Sequence, residues 1–237
     1  MASLSQAPMI CVFSHAGFQD AADGASHQAL TYFAMMAAIP HVKVFCLSTK
    51  EEAKQLVGQA IEEFVEKRNA GGVPDSYVFF LGRETFVESL GADLNYKLGK
   101  AQIVMDNSSD HEKSVTILSA GPLVHHALEA GEQLAARGVG SVIVNASCIN
   151  DPDVSALKVA VEKTNGRLVT VEDHQIIAGM GAMAIHALSL SGVPVQAKSL
   201  GVRSQFGQSA YTANELYEKH SMDASAIFRE AEKLIDS

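Results

Sequence analysis

The sequence predicts an α/β protein of two doubly wound domains with mainly parallel sheets, the N-terminal domain being incomplete. Apolar runs of strand length alternate with longer segments of helical period along the 237 residues, as crossover units on a parallel sheet require. The first 83 residues supply only about three strands and two helices, whereas the remainder supplies enough for a complete small domain. With 47% hydrophobic and 19% charged residues, the chain can bury a sizeable core.

In the N-terminal part, two helices are predicted between three strands. Ser26 is a suitable N-cap for a helix that runs to about Ile39. Ser48 and Glu51 form an S-x-x-E capping box that opens a helix ending at about Arg68. Three apolar runs predict strands buried on both faces: MICVF (9–13), VKVFCL (42–47) and SYVFFL (76–81).

Residues 84–113 predict a linker, because they contain Gly91, Gly99 and the polar cluster DNSSDHEK. We place the domain boundary near residue 112, so that the predicted domains span residues 1–112 and 113–237.

The second domain has the same alternation of strands and helices. Gly138 and Gly192 stand where helices are expected to end. The predicted strands are VTIL (115–118), SVIVNA (141–146), RLVTVE (167–172) and VPVQAKSLG (193–201), and the predicted helices begin near Pro122, Val154, Ala178 and Ala210.

Composition excludes several classes of partner and site. A formal net charge of −9 argues against a grip on nucleic acid or anionic lipid, which needs clustered Lys and Arg. The N-terminus MASLSQAPMICVF has no basic region, and its apolar stretch is too short for a signal peptide or membrane span. Cys11, Cys46 and Cys148 have neither CxxC nor metal-ligand spacing. We therefore expect a cytoplasmic protein with no metal site of its own and no nucleic-acid or membrane partner.

The segment HAGFQDAADGASHQ (15–28) is the candidate site, because it joins a buried strand to the next helix, where ligands bind in doubly wound sheets. It carries His15, Asp23 and His27, which can donate to a phosphate or accept from a hydroxyl. Arg83 follows the strand SYVFFL and is predicted at the same sheet edge. A lone His or Arg on a loop is usually just solvated. Four such residues at two strand ends favour a site.

These residues also carry a resemblance to a known family. The pattern H-x7-D-G-x2-H-Q, followed by FAMMAAIPHVKVF and FLGRE, resembles the later half of the pyrimidine-binding domain of transketolase. VTILSAGPLVHHALEA, GRLVTVEDHQIIAGMGAMAIHAL and LGVRSQFGQSA continue the resemblance into the transketolase C-terminal domain, in the family's order and spacing. The resemblance covers essentially the whole chain.

The resemblance implies roles for four residues of the sugar-phosphate channel. His15 and Arg83 would bind a phosphate of the donor or acceptor sugar, and Asp23 would bind a hydroxyl. His27 would be the catalytic residue, assisting proton transfer near the carbonyl, as well as a substrate-binding one.

Departures from the family pattern limit what the chain is expected to do. Family members commonly read G-E-D-G-P-T-H where this chain has AADGASH (21–27), which lacks one Gly and one carboxylate. The family's catalytic Glu, the aromatic residues that stack on the aminopyrimidine and the Gly-Asp-Gly motif precede the matched region. The resemblance therefore implies a section of a transketolase that is inactive without a partner section. Thiamine diphosphate and Mg²⁺ would be held mainly by an N-terminal transketolase subunit or section, in an assembly that acts on phosphorylated sugars.

Two alternatives stay open. One is a deoxyxylulose-phosphate synthase-like chain, although that family opens the first motif with Asp-Arg-Ala-Gly where this chain has Ser14 and His15 before Ala-Gly. That family also reads Glu-Glu-Asn where this chain has Glu-Asp-His at 172–174. The other is a non-catalytic binding or assembly relic of transketolase.

Other histidines are weaker candidates. His174 precedes Gly179 and Gly181, which would suit a ligand site or phosphate cradle, but the resemblance favours a structural turn. His125 and His126 lie on a predicted helix without metal-ligand partners at i+4.

A sheet that lacks strands leaves an unpaired edge, which proteins cover with a partner or by self-association. We therefore expect a homo- or hetero-oligomer, at least a dimer.

Overall fold

A three-stranded and a five-stranded sheet organise the chain in the computed structural model, which describes residues 1–84, 86–91 and 94–236. The first sheet contains β1 (Ile10–Phe13), β2 (Val42–Cys46) and β3 (Ser76–Phe80), which are the three predicted strands. All three are parallel and stand in the order β1-β3-β2.

Burial differs along the first sheet. Only the central strand, β3, is buried at every position. Val12 and Phe13 in β1 are 54% and 40% exposed, so the prediction that β1 is buried on both faces is wrong. The reason is position, because β1 is an edge strand that, within the described part of the chain, pairs only with β3.

The two helices of this part begin later than predicted. Helix α1 spans Tyr32–Ala37, and Ser26 does not cap it, since the Ser26 hydroxyl bonds to the His27 ring instead. Helix α2 spans Lys50–Asn69 with Thr49, not Ser48, as its N-cap. The Thr49 side chain accepts from the Glu52 N–H at 3.0 Å. The N-cap therefore lies one residue further along the chain than predicted, and the Glu52 side chain accepts from the Ser48 N–H instead of that of the N-cap.

The segment predicted to be a linker contains a strand. β4 (Gln102–Asp106) pairs antiparallel with β6 (Val139–Asn145) in the second sheet. No local pattern predicted this strand, since polar residues surround it and its pairing partner β6 is distant in sequence. We propose that the second domain begins before β4, rather than at the predicted boundary near residue 112.

The other strands of the second sheet are parallel, and the order is β4-β6-β5-β7-β8. These strands are β5 (Lys113–Ser119), β7 (Arg167–Gln175) and β8 (Gln196–Val202). The helices are α3 (Val124–Ala135), α4 (Val154–Lys163), α5 (Met180–Leu190), α6 (Ala213–Lys219) and α7 (Ala224–Ile235). A 3₁₀ turn at Gly121–Leu123 precedes α3, close to the predicted start at Pro122.

Helices cover both faces of the second sheet, as the predicted doubly wound fold requires. One apolar core places Ala127 of α3 and Ile227 of α7 against Val169 of β7. The core on the other face joins Leu157 of α4 to Phe80 of the first sheet. The two sheets therefore share one core. No helix in the described ranges has the length and apolar character needed to cross a membrane.

The two edges of the first sheet differ in whether another segment pairs with them. Residues 147–150, which follow β6, run along β2, where the Cys46 N–H donates to the Ser147 carbonyl at 2.9 Å. Phe45 and Cys148 form an antiparallel bridge beside that bond. The second domain thus covers the β2 edge and leaves the β1 edge uncovered.

Candidate functional site

The predicted site residues follow two neighbouring parallel strands. Phe13 at the end of β1 is in register with Phe80 at the end of β3. His15 and Arg83 come two and three residues after these positions, so both lie at the carboxyl edge of the first sheet. Residues 14–31, called the site loop below, connect β1 to α1.

Asp20 joins three of the four predicted residues into one cluster. An Arg83 guanidinium nitrogen contacts the Asp20 carboxylate and lies 2.8 Å from Oδ2 of Asp23. Nε2 of His15 lies 3.5 Å from the other Asp20 oxygen. The side chain of Asp20 is fully buried, whereas His15, Asp23 and Arg83 are 43%, 49% and 48% exposed. We call these four residues the Arg83 cluster.

His27 lies apart from the hydrogen bonds of the Arg83 cluster but shares a cleft with His15. The cleft has a volume of about 330 Å³ and is open to solvent. His27 is exposed, and its Nδ1 lies 3.0 Å from the Ser26 hydroxyl. Besides the two histidines, the lining includes Phe13, Ser14, Tyr32 and Phe80.

The chemistry of the cluster suits an anionic ligand with hydroxyl groups. Hydrogen bonds to Asp20 and Asp23 raise the pKa of Arg83, so its guanidinium stays charged. A half-exposed guanidinium can bind phosphate oxygens bidentately, and the His15 ring can add a further donor. The exposed carboxylate of Asp23 can accept from a sugar hydroxyl.

Asp173 of β7 ties the backbone of the site loop to the second sheet. Its two carboxylate oxygens accept from the Phe18 N–H at 2.9 and 3.0 Å. The Tyr217 hydroxyl donates to Oδ2 of Asp173 at 2.7 Å. Burial raises the pKa of Asp173 to about 7, although the bonds from Tyr217 and Phe18 oppose that rise.

The other half of the site loop is held by residues after β8. Oε1 of Gln28 accepts from the Gln208 N–H at 3.0 Å, and its Nε2 donates to the Gln208 carbonyl at 2.9 Å. The Ala210 N–H donates to the Ala21 carbonyl at 3.0 Å. Asp173 of β7 and residues after β8 therefore fix the loop that carries the candidate site.

His174 and its neighbours lie within β7, so the structural turn expected there is a strand. The His174 ring stacks on Phe33 with centroids 4.8 Å apart, and burial lowers its pKa. Glu172 accepts from the N–H groups of Met180 and Gly181 at 2.6 and 3.0 Å, at the start of α5. Glu172 thus serves the packing of the second domain, and His174 packs β7 against α1.

The comparison with protein families decides the assignment. The family model for the transketolase C-terminal domain matches residues 99–227, which is more than half of the chain. The chain belongs to the transketolase family. The model for the transketolase pyrimidine binding domain matches residues 1–70 of this transketolase-family chain.

Its relatives include sections and subunits of transketolases. A Methanocaldococcus jannaschii protein named as a transketolase C-terminal section is 30% identical over 217 residues, 91% of this chain and 63% of that protein. A subunit of the apulose-4-phosphate transketolase of Phocaeicola vulgatus is 30% identical over 176 residues, 73% of this chain and 51% of that protein. The transketolase-family chain thus spans about half to two thirds of these relatives.

Longer relatives and a solved structure agree with this assignment. Human transketolase-like protein 2 is 28% identical over 218 residues, 87% of this chain and 33% of that protein. The solved structure titled "Split gene transketolase, inactive beta4 tetramer" superposes with a TM-score of 0.77 at 25% identity. It covers 96% of this chain and 66% of the solved one.

Proposed function

We propose that this chain is the C-terminal section of a thiamine diphosphate-dependent transketolase, which contributes sugar-phosphate binding to the transfer of two-carbon ketol units. The observation that carries the proposal is the Arg83 cluster, in which the buried carboxylate of Asp20 contacts His15 and Arg83, and Arg83 contacts Asp23. A guanidinium, an imidazole and an exposed carboxylate at one sheet edge suit a phosphorylated polyhydroxy ligand.

Each residue has a role in this proposal. Arg83 and His15 bind the phosphate of the donor or acceptor sugar. The Asp23 carboxylate breaks its contact with the guanidinium and accepts a hydrogen bond from a sugar hydroxyl. His27, on the same cleft as His15, moves a proton near the sugar carbonyl.

The cofactor would be held elsewhere in the assembly. Transketolases are generally thiamine diphosphate-dependent, and this cofactor supplies the carbanion chemistry when bound. The candidate site does not fit its Mg²⁺, because the carboxylates of Asp20 and Asp23 both face the Arg83 guanidinium. Across the described ranges no group of three or more His, Cys, Asp or Glu could hold a metal ion. An N-terminal section would therefore supply the metal, the cofactor and the catalytic Glu.

A partner section and an oligomer also belong to the proposal. The relatives named as a C-terminal section and as one subunit of a transketolase support a divided enzyme, and the related tetramer is titled inactive. The three cysteines are free, two of them buried, which suits a reducing cytoplasm.

Reconstitution tests this function. The chain would be combined with an N-terminal transketolase section, thiamine diphosphate and Mg²⁺, with xylulose 5-phosphate and ribose 5-phosphate as substrates. We expect ketol transfer only when both sections are present. Arg83→Met should raise the KM for the phosphorylated sugars about tenfold or more, because a charge-assisted contact with phosphate is lost.

Arg137→Met is the matched control. The Arg137 guanidinium lies 5.9 Å from the centre of the Phe228 ring. Arg137 precedes the amino end of β6, at the opposite end of that strand from its carboxyl edge. Its loss should leave the KM unchanged. An equal effect of both substitutions would contradict the assigned role of Arg83.

The non-catalytic relic is the second candidate, favoured by one observation. Two carboxylates already contact Nη1 of Arg83, so their negative charge opposes the binding of a phosphate beside them. If the reconstituted pair performs no ketol transfer and Arg83→Met leaves its affinity for the partner section unchanged, the relic is the better description.

A further inference from the structure

We propose that Asp173 is a positioning residue that sets the geometry of the Arg83 cluster from the second domain. Asp173 touches no predicted ligand-binding side chain, and it acts through the backbone of Gly17 and Phe18. The proposal rests on the proposed function only where it concerns ligand affinity.

The hydrogen bonds around Asp173 reach both chain segments of the cluster. On the site loop, the Phe18 N–H bonded to Asp173 is two residues from Asp20. Between them, Nε2 of Gln19 donates to the Tyr217 hydroxyl at 3.0 Å, and that hydroxyl donates to Asp173.

The same network continues to the segment that carries Arg83. Oε1 of Gln19 accepts from the Glu84 N–H at 3.3 Å, directly after Arg83 in the chain. The two partners of the ion pair, Asp20 and Arg83, are therefore each one residue away from a group that this network holds.

Close packing leaves this contact little freedom. Gly17 has φ +59°, and a Cβ built there would lie 2.0 Å from Cγ of Asp173. The loop backbone thus lies directly against the carboxylate, in a conformation that favours glycine. β7 is paired with both β5 and β8 as far as Val171, and Asp173 lies in the irregular stretch between Val171 and Gln175. A change in the hydrogen bonding of Asp173 should therefore move the loop backbone or this stretch of β7.

The protonation state of Asp173 provides a distinctive readout. Its pKa of about 7 comes first from burial, and Glu84 also raises it, while Tyr217 and Phe18 lower it through hydrogen bonds. The buried thiol of Cys46 also interacts electrostatically with Asp173, which raises the pKa of Cys46. Protonation removes charge from the carboxylate that holds the loop, so loop geometry should change across neutral pH.

A buried contact of this kind can also serve stability alone, and Glu172 provides the matched control. Glu172 is the next residue in β7, is buried, and also has a pKa raised by burial to about 7. Its carboxylate bonds to Met180 and Gly181 instead of the site loop.

The experiment compares Asp173→Asn with Glu172→Gln in the full chain by NMR. We expect the Arg83 guanidinium signal, assigned with Arg83→Lys, to shift in Asp173→Asn and to stay in place in Glu172→Gln. In the wild type, the Phe18 amide should titrate with a midpoint near pH 7, a step that Asp173→Asn abolishes and Glu172→Gln retains. Affinity for inorganic phosphate at pH 8 should fall about tenfold in Asp173→Asn alone.

Two outcomes would overturn the proposal: an Arg83 signal unchanged in Asp173→Asn, or equal shifts in both variants. If Asp173→Asn fails to fold, Tyr217→Phe removes one hydrogen bond from the same carboxylate and should shift the same signals. If the wild type binds no phosphate, the proposed function is contradicted, while the Arg83 and Phe18 signals still decide the positioning role.

Discussion

Two neighbouring carboxyl groups of β7, those of Glu172 and Asp173, have separate structural roles. Successive side chains of a strand point to opposite faces, so Glu172 reaches the start of α5 while Asp173 reaches the site loop. Both are deprived of water, and burial is the largest cause of the raised pKa of each. Their hydrogen bonds to backbone N–H groups only partly offset that burial.

The raised pKa of Glu172 predicts a defined pH dependence of stability. Its pKa is about 7 in the folded chain, against 4.5 for an unperturbed Glu, so between these values the folded chain binds more protons than the unfolded one. This carboxyl therefore makes folding less favourable as the pH rises through that window. Glu172→Gln removes the effect. Its free energy of unfolding relative to wild type should rise by up to about 1.4 kcal/mol per pH unit between pH 5 and 7.

Urea unfolding of both proteins at several pH values measures this difference. Comparing the variant with the wild type cancels the contributions of the other titrating groups. These include the half-buried His125 and the buried His174, whose lowered pKa values make stability rise with pH. A constant difference across the window would show that Glu172 titrates normally.

The proximity of candidate site residues was predictable where polar or titratable side chains follow the end of a predicted strand. His15, Asp23 and Arg83 follow predicted strands, and the structure brings them together. Asp20 was missed, because its only signal is a carboxylate among buried apolar neighbours of the loop. Asp173 has no local signal for its contact with Phe18, which lies 155 residues away.

Among the elements, β1 is an edge strand that pairs only with β3 in the part of the chain that the structure describes. Residues 147–150 cover β2 on one side of the first sheet, while β1 presents Val12 and Phe13 on the other. Met35 of α1 is also 69% exposed. Such an edge favours pairing with another chain.

A charge on this edge should weaken association. Val12→Lys places an ammonium on the open strand, which is how natural edge strands resist pairing. We expect a lower sedimentation coefficient for the chain alone and weaker binding to an N-terminal section. Val65→Lys is the control, since Val65 is 49% exposed on α2, away from the edge. A monomeric wild type would contradict the expected association.

Elements with a strong local pattern were predicted well, and those defined by distant partners were not. β3 and α2 have continuous apolar runs or capping residues, and both lie close to their predicted bounds. β4 is stabilised by antiparallel pairing with β6, which no local pattern reveals. Helix α1 is shortened because the site loop occupies the residues before Tyr32.

At the scale of the whole molecule, a buried polar network joins the two sheets. Glu52 of α2 accepts from Nδ2 of Asn145 at 2.8 Å and from the Ser147 hydroxyl. The Ser48 N–H donates to the same carboxylate at 2.6 Å. Burial raises the pKa of Glu52, and these hydrogen bonds oppose the rise.

Glu52→Ala should therefore destabilise the molecule and loosen the coupling of its two sheets. The substitution leaves the donors of Asn145, Ser147 and Ser48 without their acceptor, at a cost of about 2–4 kcal/mol. Thermal unfolding should show a lower Tm and a broader transition. Glu62→Ala, on an exposed position of the same helix, should change the Tm little. A sharp transition at the wild-type Tm for Glu52→Ala would refute the coupling.

The antiparallel strand β4 has a consequence for how the chain emerges during synthesis. Asp106 at the end of β4 pairs with Val142 of β6, so β4 must wait for 36 further residues (142 − 106) before its partner begins to appear. At about 5–20 residues per second, that interval lasts roughly 2–7 s. During this interval β5 and α3 are made, so β4 can dock on β6 only after β5 exists, but before β7 and β8 are made.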